Sequence, residues 1–92
     1  MTKRRVVVTG IGIVSPFGCG VDKFWNSLIE GKSGIKTLTR NSHEGQLVTF
    51  GGEVSSFEDE VANGGLIDAK EMKRMDRYTQ FAVVAADEAM NF

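Results

Sequence analysis

From the N-terminus, the chain alternates apolar runs with polar connectors. Val6 to Val14 (VVVTGIGIV) is apolar and β-branched, with no period of two. That pattern predicts a strand covered on both faces inside a mostly parallel sheet. Such a strand needs neighbours. Gly10 and Gly12 mark points where another backbone comes close or the strand bends. Ser15-Pro16-Phe17-Gly18-Cys19-Gly20 ends it, because Pro16 lacks a backbone donor and the glycines suit turns. Val21, Phe24, Trp25 and Leu28 then fall at i, i+3, i+4 and i+7, one stripe of an amphipathic helix from Val21 to Glu30. Asp22 suits its first turn and Gly31 its C-terminal cap.

Further along, Lys32-Ser33-Gly34-Ile35 reads as a loop and Asn41 to Gln46 as a polar connector. Leu47 to Val54 places Val48, Phe50 and Val54 on one alternating face, a second strand weakened by Gly51 and Gly52. Ser55 to Gly65 reads as a solvated loop or short helical turn, stopped by Asn63-Gly64-Gly65. Asp68 is placed to cap a helix whose third position is Glu71, and Asp76 to cap a second or restarted helix through Phe81 to Met90. The stretch FAVVAADEAM is apolar nearly all round at its start, which predicts burial on most sides, more than a chain this short provides.

Composition narrows the function classes. With 92 residues, 41% apolar and 25% charged, the chain fits one domain at most, or part of one. Its net charge of −1, from 11 basic and 12 acidic residues, offers no overall field for nucleic acid or an anionic membrane. A single cysteine, Cys19, excludes an intramolecular disulfide and a multi-cysteine zinc site and suits a reducing cytoplasm. The basic start Met1 to Arg5 resembles a signal peptide only briefly, since Thr9, Gly10 and Gly12 interrupt the apolar run. No stretch approaches the roughly 20 apolar residues of a membrane span.

Three features bear on chemistry. TGIGIVSPFG matches the first two glycines of a dinucleotide-binding G-x-G-x-x-G at Gly10 and Gly12, but Ser15 stands at the third and Pro16 delays the helix that should hold the pyrophosphate. Close packing at the glycines is the competing reading. Cys19 has no activating partner near it in sequence, and the only histidine, His43, lies in a polar stretch that suits a solvated imidazole better than a general base. Lys70, Lys73, Arg74 and Arg77 stand at i, i+3, i+4 and i+7, so a helix through them gathers positive charge on one side. That face is either merely solvated or a docking surface for an acidic protein or phosphate-bearing ligand. Met72 and Met75, between the charges, read as core contacts.

RRVVVTGIGIVSPFG (Arg4 to Gly18), FWNSLIEGKSGI (Phe24 to Ile35) with LTR (Leu38 to Arg40), and KEMKRMDRYTQFAVVAADEAM (Lys70 to Met90) together resemble the β-ketoacyl-carrier-protein synthase family, in particular the elongating type II enzymes of bacteria. GGEVSSF (Gly51 to Phe57) is a weaker match. The resemblance spans nearly the whole chain. It implies an α/β thiolase-like layered fold, of which residues 1–92 are the first, incomplete part of the N-terminal half, with Val6 to Val14 as a central strand. Members usually form homodimers.

The resemblance also implies a chemistry: an acyl chain held on a cysteine thioester condenses with malonyl-carrier protein, releasing carbon dioxide. The family's catalytic cysteine and two histidines lie downstream of the matched segments, so neither Cys19 nor His43 corresponds to them. No catalytic residue, cofactor site or metal site is expected in this chain, which by itself should be inactive. What carries over is carrier-protein docking on Lys70, Lys73 and Arg74, with Arg77 as a further contributor. A non-catalytic, chain-length-determining relative and a nucleotide-binding module are the alternatives. The expected setting is the cytoplasm, without nucleic acid or membrane.

Overall fold

In the computed structural model, residues 3–39 and 45–91 are described, with Ala62 and Asn63 as backbone only. His43, and the polar connector from Asn41 through Glu44, lie outside the described residues.

Helix α1 spans Val21–Ile29, where the apolar spacing predicts it. Beyond its C-cap, Glu30, Gly31 takes φ 72°, a left-handed turn that glycine adopts without steric cost. The N–H of Lys32 donates to the Ser27 carbonyl at 3.0 Å and that of Gly31 to Leu28 at 3.1 Å, which satisfies two of the carbonyls at the end of the helix.

The expected strand over Val6–Val14 does not form. Only its end does: β1 (Val14–Ser15) pairs antiparallel with β2 (Gly18–Cys19), with Val14 opposite Cys19. Pro16 and Phe17 make the connecting turn. The Phe17 N–H donates to Ser15 Oγ at 3.2 Å, and the Ser15 hydroxyl donates to the Gly18 carbonyl at 3.3 Å. Val6, Val7 and Val8 remain 91%, 68% and 81% exposed. A strand's backbone groups need a neighbouring strand, and among the described residues none lies alongside this one.

A second hairpin joins β3 (Ile35–Thr37) to β4 (Phe50–Gly52), with Lys36 opposite Gly51. The expected strand over Leu47–Val54 is thus confined to its middle, and Ile35 leaves the expected loop to pair with Gly52. Leu47, Val48 and Phe50 stay exposed, because this hairpin lacks a covering layer.

The C-terminal half is helical: α2 (Phe57–Gly64), α3 (Ala69–Met72) and α4 (Arg77–Met90). Residues 55–65, expected as a solvated loop or short helical turn, carry the longer helix α2, which ends on left-handed Gly65 at φ 66°. Asp68 caps α3 as expected, its carboxylate accepting from the Lys70 N–H at 3.3 Å. Asp76 stands at the N-cap of α4 without a side-chain cap bond.

The core is built around α2. Phe57, Val61 and Ile67 are buried, and Val14, Cys19, Val54, Met72, Met75, Phe81, Val83 and Val84 pack on them. The Phe57 and Phe81 rings meet edge to face at 4.7 Å, a preferred aromatic geometry. Met72 and Met75 are core contacts, as their positions suggest. Helix α4 is covered less than expected: its one buried residue is Gln80, while Ala82 and Ala86 face solvent. The radius of gyration, 16.4 Å, exceeds the roughly 12 Å of a compact domain of this length, consistent with faces that lack cover.

Candidate functional site

Helix α3 and the turn after it carry the cations that the spacing singled out. The helix covers only Ala69–Met72. Its hydrogen bonding then tightens, with the Arg74 N–H donating to the Glu71 carbonyl at 3.0 Å and the Met75 N–H to Met72 at 3.3 Å, before Asp76 starts α4. Lys70, Lys73 and Arg74 are all exposed within this one compact piece. Among the described residues none of the three makes an ion pair.

The expected single helix through all four cations is therefore corrected. The chain restarts at Asp76, and Arg77 turns inward. Its guanidinium pairs with Glu58 and donates to the Val54 carbonyl. It also lies 5.7 Å from the Phe57 ring centroid and 5.0 Å from that of Phe81, within cation–π range. Arg77 anchors α4 to α2 and leaves three cations outside.

The glycine-containing loop is a packing site. A Cβ on Gly12 would collide with the Ala85 carbonyl oxygen, so the loop lies directly on α4, in favour of the close-packing reading. Two amides placed to meet a phosphate, at Ile13 in the loop and Val21 at the start of α1, are already occupied. Glu88 of α4 accepts from the N–H groups of Ile13 and Val21, both at 2.9 Å, which places a carboxylate at the N-terminus of α1, where an anion would bind. Glu60 of α2 accepts from the Cys19 N–H at 2.8 Å and from the Ser56 hydroxyl at 3.0 Å, and pairs with Lys23 at 3.2 Å. Partial burial pushes the Glu60 carboxyl up. The hydrogen bonds from Cys19, Lys23 and Ser56 outweigh it and hold the group below the usual carboxylate range.

Cys19 lies in the environment opposite to that of a nucleophile. Burial pushes its thiol up from 9.0 to about 11, helped by its hydrogen bond to the Glu60 carboxylate and by that charge. The hollow beside it, about 230 Å³, is lined by Glu60, Asp87, Val61, Leu66 and Val84, and Glu88 adds a second carboxylate that disfavours the thiolate. Among the described residues no group of three His, Cys, Asp or Glu side chains is arranged to hold a metal, and no helix is long and apolar enough to cross a membrane.

Two residues of consequence were not singled out from the sequence, Gln80 and Glu88. Both stand with Val84 on an i, i+4, i+8 line, so polar side chains on an otherwise core-facing line were the available signal.

The chain belongs to the β-ketoacyl synthase family: residues 3–91 match the model of the beta-ketoacyl synthase, N-terminal domain. It is 43% identical over 91 residues to 3-oxoacyl-[acyl-carrier-protein] synthase 2 of Synechocystis sp., covering 99% of this chain and 21% of that protein. To the protein of the same name from Staphylococcus aureus it is 44% identical over 87 residues, covering 95% and 20%. To that from Coxiella burnetii it is 38% identical over 89 residues, covering 97% and 20%. The chain thus spans about a fifth of the length of these relatives.

Proposed function

We propose that this chain is the N-terminal part of a 3-oxoacyl-[acyl-carrier-protein] synthase. Such an enzyme elongates acyl chains in fatty acid synthesis by decarboxylative condensation with malonyl-carrier protein. Residues 1–92 contribute part of the N-terminal domain and a docking face for the carrier protein. The catalytic thiolate and the groups around it come from other sequence of the full-length enzyme, a reading supported by the raised thiol of Cys19 and its carboxylate neighbours. In the full-length protein Val6 to Val14 pairs as an interior strand of a thiolase-like layered fold, and two copies associate in the cytoplasm. The valines left bare here support that placement.

The observation that carries the docking role is the trio Lys70, Lys73 and Arg74 on α3 and its following turn, exposed and without an ion pair among the described residues. Three cations on one short piece suit an acidic protein surface, chiefly by speeding and orienting encounter. In the full-length protein, Lys73→Glu and Arg74→Glu should each weaken carrier-protein binding about tenfold at low ionic strength and flatten its salt dependence, read by calorimetry across a salt series. Unchanged affinity at low salt would remove the docking role.

A further inference from the structure

Helix α4 places a primary amide where its neighbours are apolar. Gln80 is 8% exposed, one helical turn before Val84, which packs on the Phe57 cluster. An amide buried there is unfavourable unless its hydrogens are used. Nε2 donates both: to the Met72 carbonyl at 2.9 Å and to the Met75 carbonyl at 3.2 Å. Those two carbonyls bracket Lys73 and Arg74.

The bracketed turn has little else to hold it. Helix α3 is only four residues long, far too short to be stable by its own hydrogen bonding. The bonds from Arg74 to Glu71 and from Met75 to Met72 close single turns. Met72 and Met75 tie the side-chain layer to the core, and Gln80 ties the backbone. A cation on a backbone that must be ordered at the moment of binding contributes less than one already held in place.

We infer that Gln80 is a positioning residue for partner docking: by gathering the Met72 and Met75 carbonyls on one amide, it fixes the Lys73–Arg74 turn so that both cations are presented pre-ordered. This rests on the docking reading above, and it assigns Gln80 an effect on affinity that acts only through those two cations.

The test is a double-mutant cycle in the full-length protein, with binding of acyl carrier protein followed by calorimetry. Gln80→Leu should weaken binding by about three- to tenfold, the worth of one or two neutral hydrogen bonds. In a Lys73→Ala, Arg74→Ala background the same change should do almost nothing, because no cation remains to be positioned. Gln80→His, which keeps one donor, should recover part of the loss, and it replaces Gln80→Leu in the cycle if the leucine variant does not fold. Equal weakening in both backgrounds means that Gln80 acts on the fold at large, and the inference fails. It fails too if Gln80→Leu changes nothing while loss of the two cations weakens binding; in both cases the docking face stands. If loss of the cations leaves affinity unchanged at low salt, the docking reading falls and takes the positioning role with it.

Discussion

Segment 6–12 and helix α2 lie at opposite extremes of burial. Val6, Val7 and Val8 stand almost wholly in solvent, whereas Phe57 is 0% and Val61 4% exposed. Yet the first segment opens on three consecutive valines and has no charged residue, and the second carries Glu58, Asp59 and Glu60 in its first turn. The difference lies in the backbone. A helix satisfies its interior N–H and C=O groups within itself, so α2 needs only two inward side chains, one turn apart, to join a core. A strand must first find another strand for its amides, and only then does its apolarity count. Each valine would gain roughly 1.5–3 kcal/mol from full burial, but that gain waits on a pairing partner.

The sharpest way to break this comparison is to truncate one residue from each side. Phe57→Ala should lower stability by about 3–5 kcal/mol, the range for an aromatic removed from a packed core. In a chain with so small a core this should abolish the cooperative urea transition. Val7→Thr in the same 92-residue chain should change stability by less than about 0.5 kcal/mol, as surface changes do. A comparable loss at Val7 would show that segment 6–12 is covered in solution, by a second copy or otherwise.

Two charged side chains hold α2 in its place. Glu60 ties it to the β1–β2 hairpin and α1 through Cys19 and Lys23. Its folded pKa lies below the ordinary 4.5, so the stability it supplies is present above pH 4.5 and is lost as pH falls through the lower folded value. Glu60→Gln should cost about 1.5–3 kcal/mol at pH 7, the worth of hydrogen bonds to a charged group. It should also flatten the acid limb of the stability profile, read from urea midpoints between pH 3 and 7. An unaltered acid limb would assign it to other carboxylates. Arg77 does the corresponding work toward α4 through Glu58, the Val54 carbonyl and the two phenylalanine rings. Arg77→Met should cost about 1–2 kcal/mol while leaving the salt dependence of carrier-protein binding as it was. A reduced salt slope would return Arg77 to the docking face.

What the sequence showed follows the same division. Helix α1, the caps at Asp68 and Asp76, and the glycines at Gly31 and Gly65 were legible, because each depends on spacing or on one residue's conformational preference. Helix α2 was hidden, since Phe57 and Val61 are a stripe of only two positions among carboxylates and show no period. The Val6–Val14 segment was legible as one that needs cover, and only its end at Val14–Ser15 pairs here, because apolarity does not report whether the chain contains that cover. Of the four cations behind the proposed docking face, the exposure of three was legible. Spacing found Lys70, Lys73 and Arg74, and Asp76 marked the restart, but the inward turn of Arg77 depends on Glu58 and Val54, more than 18 residues away. Gln80 and Glu88 depend on carbonyls and amides, which leave no mark in a pattern of side chains.

Cys19, at the junction of the buried and bare regions, gives the finest probe of which region it belongs to. Its thiol is raised from 9.0 to about 11, which at pH 8 cuts the thiolate fraction about a hundredfold relative to an unperturbed cysteine. The more basic thiolate is intrinsically more nucleophilic, with a Brønsted slope of about 0.4–0.5, which restores nearly tenfold. The net expectation is reaction with an aromatic disulfide about tenfold slower than for a model thiol, with the rate still climbing between pH 9 and 11. The linkage runs in the same direction: the folded state keeps its proton when the unfolded chain has lost it, so this contribution is complete below pH 9 and lost as pH rises toward 11. Glu60→Gln removes the charge facing the thiol and should speed the reaction. If wild-type Cys19 reacts like a free thiol near neutrality, the β1–β2 hairpin is open in solution, and the bare region extends from Val6 through Cys19.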